Sequence, residues 1–212
     1  MQYNEDYFNS EEFKELLENY EAAMQVGEQP FLDADDLVDL ADYYNFTGEG
    51  DKAVEAIDHA LELYPEATLP NVFKARQALT EGDFETARRY ADTIGDKDDP
   101  DYHYLTVEIM VAEGHIEKAD LYLRRYAKSV DEDEWEDFVK DCANLYVDYG
   151  INDKAYQWMM RSRATTAPTS RSSWRAHSSD WANIKTQSDS STSSSTATPT
   201  LHTIGMHWLP HS

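Results

Sequence analysis

The sequence predicts an all-α chain of stacked helical hairpins, and three observations carry the prediction. Apolar residues recur at helical spacing from Phe13 to about Met160. No stretch reads as a strand. A short turn that begins with Gly and ends with Ala returns four times along the chain.

The first helix is announced by Asn9-Ser10-Glu11-Glu12, a capping signal, and Phe13, Leu16, Leu17, Tyr20 and Met24 follow at helical spacing until Gly27. Residues 1–32 thus read as an N-terminal helix and linker. Asp33 caps a second segment carrying Leu37, Leu40, Ala41 and Tyr44, which stops at Gly48. A third runs through Ala53, Ile57, Ala60, Leu61 and Leu63 to Pro65. Short helices and Gly-containing turns continue in this way, so 33–163 reads as about four hairpins.

The four turns are Gly48-Glu49-Gly50-Asp51-Lys52-Ala53, Gly82-Asp83-Phe84-Glu85-Thr86-Ala87, Gly114-His115-Ile116-Glu117-Lys118-Ala119 and Gly150-Ile151-Asn152-Asp153-Lys154-Ala155. Their alanines lie 34, 32 and 36 residues apart. A period in that range means stacked hairpins, each too small to bury its own apolar face. Gly ends each first helix because it takes a left-handed backbone without strain. Ala is expected where two helices cross too closely for a larger side chain.

These residues resemble the tetratricopeptide repeat. The best copy runs from about Ala34 to Ala67, with Leu40-Ala41, Tyr44, Gly48, Ala53, Ala60 and Pro65. Later copies keep Ala75, Gly82, Phe84 and Ala87, then Gly114, Ile116 and Ala119, then Ala143, Tyr146, Gly150 and Ala155. None has the family's tryptophan early in the first helix. The resemblance covers about 34–163 and implies a right-handed superhelix whose first helices line a concave groove. Matched residue by residue, that groove takes Asp35, Val38, Asp42 and Asn45 from the first repeat and Val72, Arg76 and Leu79 from the second. Asp101, Tyr104, Glu108 and Val111 come from the third, and Lys140, Asn144 and Val147 from the fourth. The Lys, Asn and Arg set with which some family members clamp a peptide carboxylate is not matched.

The composition breaks near Arg163. Residues 164–212 carry a net charge of +1 and 21 Ser or Thr, against −25 for residues 1–163. So polar a stretch buries too little surface to offset ordering entropy and reads as a disordered tail. Trp174, Trp181 and Trp208 are unusual there. Back-translated and read from the third base of the Asp180 codon, Asp180–Thr186 spells Leu-Gly, then Lys, Glu or Gln, then Tyr or His. That is another repeat turn, about 31 positions after Gly150. The tail is therefore read as a frame-shifted continuation of the repeats, against the alternative of a natural Ser/Thr-rich linker.

Charge narrows the function. A formal net charge of −24 opposes non-specific binding to nucleic acid or an anionic membrane. No apolar run approaches 18 residues and no secretory leader is apparent, so a cytoplasmic chain is expected. The acidic runs Asp33–Asp36, Asp96–Asp101 and Asp131–Asp137 do not fit the calcium-loop pattern and read as helix N-terminal turns. His59, His103 and His115 are too dispersed for a local metal site. Cys142 reads as a buried, inert thiol. Tyr43, Tyr44, Tyr104, Tyr126 and Tyr146 read mainly as filling for the stack. The expectation is a non-enzymatic interaction scaffold without cofactor or metal, binding another protein or a basic or amphipathic peptide. The alternatives are a helical-repeat regulatory or enzyme domain with an unrecognised site, and a truncated product without function.

Overall fold

A computed structural model of the chain describes residues 7–162, and these are helical with no strand among them. The expected tail and its frame-shifted repeats lie outside the described residues. The helices are α1 (Glu11–Gln25), α2 (Ala34–Thr47), α3 (Gly50–Leu63), α4 (Thr68–Glu81), α5 (Phe84–Thr93), α6 (Pro100–Ala112), α7 (Ile116–Tyr126), α8 (Trp135–Asp148) and α9 (Asn152–Met159). The chain divides into two compact units, one ending at Leu105 and one starting at Thr106.

In the first unit α2 packs on α3 and α4 on α5 as hairpins, and α4 also packs on α2 and α3. Ser10 caps α1, its Oγ accepting from Phe13 N at 3.1 Å, and Asp33 caps α2, its Oδ1 accepting from Asp36 N at 2.8 Å. These are the two caps the sequence predicts, each satisfying an otherwise orphaned N–H. The link between the hairpins is tied from both sides. Buried Asn71 donates from Nδ2 to the carbonyls of Pro65 (2.8 Å) and Ala67 (2.7 Å), and the Tyr64 hydroxyl donates to Leu32 O at 3.0 Å. In the second unit α8 and α9 form the closing hairpin.

The repeated turns are alike in backbone detail. Gly48, Gly82, Gly114 and Gly150 all have φ between 71° and 83°, and so does Gly27 after α1. At each one the glycine N–H and the next N–H turn back onto the helix. Gly82 N donates to Leu79 O at 3.1 Å and Asp83 N to Ala78 O at 2.9 Å, and Gly150 with Ile151 repeats the pair onto Val147 and Tyr146. This paired closure satisfies two end carbonyls and requires a left-handed residue. A Cβ added at Gly82 would meet nothing within 4 Å, so the requirement is conformational alone. Gly82→Ala is expected to cost about 1–2 kcal/mol, and Gly82→Asn less. Urea denaturation followed by circular dichroism checks this.

The turn alanines are fully enclosed. Ala53, Ala87, Ala119 and Ala155 are all 0% exposed. Ala87→Leu and Ala119→Leu are each expected to destabilise by about 1–3 kcal/mol through overpacking. Thermal melts matching the parent would show that these positions have room to spare.

Candidate functional site

In the first unit, four aspartates lie on α2. Its opening turn carries Asp35 and Asp36, and Asp39 and Asp42 follow at helical spacing along one side. The segment can hold them because the opposite side supplies Leu37, Leu40, Ala41 and Tyr44, all buried. Asp35 is exposed, whereas Asp36, Asp39 and Asp42 are half-buried.

Burial, and then mutual repulsion, hold the Asp36, Asp39 and Asp42 carboxyls above the ordinary range. Desolvation is the larger cause for Asp36, with Asp33 and Asp35 adding to it. Asp39 is raised chiefly by burial, partly offset by the Tyr7 hydroxyl, which donates to its Oδ2 at 2.8 Å. Asp42 is pushed up to about 7 by burial and by Asp39, while the Arg76 guanidinium on α4 pulls the other way. A carboxyl raised in the folded chain stabilises it below the ordinary carboxylate range, and that contribution is lost as pH rises through about 7. Asp42→Asn is therefore expected to raise the urea midpoint more at pH 8 than at pH 5. An equal gain at both values would mean that Asp42 is ionised throughout.

The fourteen groove positions divide sharply by burial. Val38, Val72, Leu79, Tyr104 and Val111 are buried, so in this conformation they pack the interior. Asp42, Arg76, Asp101 and Glu108 are half-buried, and Asp35, Asn45, Lys140, Asn144 and Val147 are exposed. Asp42 and Arg76 are brought together electrostatically across α2 and α4. Asp101 and Tyr104 fall in the first unit, and Glu108, Val111, Lys140, Asn144 and Val147 in the second. Lys140 Nζ is held by Asp137 Oδ1 at 2.7 Å on its own helix.

A second charged cluster escaped sequence reasoning. Asp120 on α7 is 3% exposed, yet it accepts from three groups in the second unit. Trp158 Nε1 donates to its Oδ1 at 3.1 Å, and Lys154 Nζ (3.2 Å) and Arg124 Nη2 (2.7 Å) pair with its Oδ2. Lys154 also reaches Glu117 Oε2 at 3.0 Å. The first unit has a parallel: Lys52 on α3 reaches back to Glu21 on α1 at 3.2 Å. Lys52 and Lys154 each immediately precede the buried turn alanine, and that placement was the available signal.

The remaining candidates serve the fold. Asp96 and Asp99 accept from the backbone N–H groups of Asp98 and Asp101 at 2.9 and 2.8 Å, shaping the turn before α6. Among the described residues no three His, Cys, Asp or Glu side chains gather as a metal site. His59 is 3% exposed and stacks on Tyr20 with ring centroids 6.2 Å apart. Cys142 is buried, and desolvation holds its thiol well above the ordinary range, which leaves it poorly nucleophilic.

No protein-family model matches the chain, and comparison with curated proteins finds no match. No helix among the described residues is long and apolar enough to cross a membrane.

Proposed function

We propose that the chain is a tetratricopeptide-like helical repeat that works as an interaction scaffold, taking up a basic or amphipathic peptide or partner helix. The four alike turns with their fully buried alanines support the repeat reading. The acidic side of α2 supports the choice of partner. Burial, with the neighbouring carboxylates adding to it, raises the pKa values of Asp36, Asp39 and Asp42, and a cationic partner relieves the repulsive part of that cost. That last observation carries the conclusion. With a net charge of −24 the field steers basic partners, and its reach is about 8 Å at physiological ionic strength.

The test is a peptide array probed with the full chain at low and at physiological salt. Binders are expected to be basic or amphipathic. Replacing Asp35 and Asp42 together by Asn should slow association and flatten the salt dependence. Binding should also weaken between pH 8 and pH 6, as Asp42 takes up its proton near 7. Acidic binders, or binders indifferent to salt and to both substitutions, would overturn the reading.

A further inference from the structure

We propose that the exposed aromatic face built by Tyr7, Phe8, Tyr43 and Phe46 is where the basic partner docks, as a helix that seats an apolar side chain on Phe46 and Phe8 and sets an arginine or lysine beside Asp39. This rests on the scaffold reading above and gives it a place, a ligand class and a spacing.

The four rings gather over Phe13, which is 0% exposed. Phe8 is the hub, with its centroid 5.0 Å from Phe13, 5.5 Å from Tyr43 and 5.9 Å from Phe46. Phe13 supports the group from below, 5.3 Å from Tyr7 and 5.2 Å from Tyr43. The outer rings stay in water: Phe46 is 62% exposed and Tyr7 37%, while Phe8 and Tyr43 are half-buried. A single exposed apolar side chain is ordinary, but rings in mutual contact at the surface form a patch that a partner can cover. All of them belong to the first unit.

The face is joined to the acidic side of α2. The Tyr7 hydroxyl donates to Asp39 Oδ2 at 2.8 Å, so the ring cluster and the carboxylate touch. Asp39 stands one turn before Tyr43, and Asp42 one turn before Phe46, so one side of the helix runs from carboxylates into rings. No cation among the described residues pairs with Asp36 or Asp39; the charges that act on them are other carboxylates.

That charge decides the occupant. Residues 1–6 lead into the face at Tyr7, but they bring Glu5 and Asp6, and a second copy of the chain brings a net charge of −24. Both are repelled by Asp36 and Asp39, whereas a cationic helix is attracted. The rings themselves also favour a cation, because their faces carry negative charge. From Asp39 to Phe46 is about two helical turns, or roughly 10 Å along α2. A partner helix lying along α2 therefore needs its apolar anchor and its cation two turns apart.

The test uses the full chain and three labelled helical peptides, read by fluorescence anisotropy at low salt. One carries Leu and Arg two turns apart, one has that Arg replaced by norleucine, and one has that Leu replaced by Ala. The first is expected to bind about tenfold tighter than either of the others. Phe46→Ala should erase the advantage of Leu, and Asp39→Asn with Asp36→Asn the advantage of Arg. Phe46 is exposed enough that its loss should leave the circular dichroism unchanged. Phe31→Ala removes another bare ring, 82% exposed and outside the face, and should leave binding as it was. Affinity untouched by Phe46→Ala, or lowered as much by Phe31→Ala, would overturn the assignment. So would a dimer of the chain that Phe46→Ala dissolves, or binding that appears only once proteolysis has removed the residues after Arg163, since the face would then belong to a second copy or to the chain's own tail. If Phe46→Ala leaves affinity alone while the Asp35 and Asp42 substitutions still slow association, this face fails and the scaffold reading stands. If no peptide binds in either experiment, both fail.

Discussion

Trp158→Ala is expected to destabilise the second unit by about 3–5 kcal/mol, the range for emptying a large aromatic site in a packed interior. The indole is 0% exposed. It meets Phe138 edge to face with centroids 5.6 Å apart, lies under the Arg161 guanidinium at 4.2 Å, and donates its N–H to Asp120. Helix α9 is only eight residues long, too short to persist on its own propensity. Trp158 is thus the main attachment of that helix, and its loss should release α9 before the rest. Trp158→Phe separates the contributions: it keeps most of the apolar contact and forfeits the hydrogen bond, for about 1–2 kcal/mol. Urea titrations followed at 222 nm, with amide exchange on α8 and α9, give both numbers. A Trp158→Ala chain within 1 kcal/mol of the parent would contradict this packing.

Asp120→Ala should cost about 2–4 kcal/mol, somewhat below the loss for a fully buried pair, because Arg124 can return to water while Lys154 cannot. The Lys154 side chain is 12% exposed and that of Arg124 46%. Removing the carboxylate leaves Lys154 with Glu117 alone, which is largely exposed, and strands the Trp158 N–H in the interior. Asp120→Asn keeps an acceptor for the indole and should lose less. A double-mutant cycle with Trp158→Phe would show coupling, since the two groups share a bond. Additive effects would mean that the carboxylate serves its cations only.

How much of this was legible in the sequence depends on the range of the interaction. The glycine turns and the two N-caps are local: one residue type meets one backbone demand within a few positions. Gly82 and Asp33 could therefore be read without knowing what surrounds them. The buried alanines were legible because repetition makes a long-range demand appear as a pattern. The Asp120 cluster was not legible, because beyond Arg124, one turn along the same helix, its partners Lys154 and Trp158 stand 34 and 38 residues away and meet it only once the hairpins pack. The groove positions show the same limit from the other side. Register assigns Val38, Val72, Leu79, Tyr104 and Val111 to one aspect of their helices, but it is silent on whether a neighbouring helix covers that aspect. The polar members Asp35 and Asn45 are exposed.

The acidic side of α2 also shows a trade between stability and charge. Asp42 favours the folded state when neutral and attracts a cation when ionised, and its change-over near 7 puts both tendencies within reach of small changes in pH.

Trp158 and Cys142 have a consequence for spectroscopy. Every tryptophan of the chain stands at position 135 or later, and the sole cysteine is residue 142. Indole emission and thiol labelling are therefore blind to the residues up to Leu105, whose aromatic signal comes from phenol and phenyl rings alone. The two units carry separate optical signatures without any engineered label. Melting one unit before the other would split the indole curve from the far-ultraviolet curve, and cooperative melting would superimpose them. The gap between the two midpoints then reports whether the two units melt together or separately.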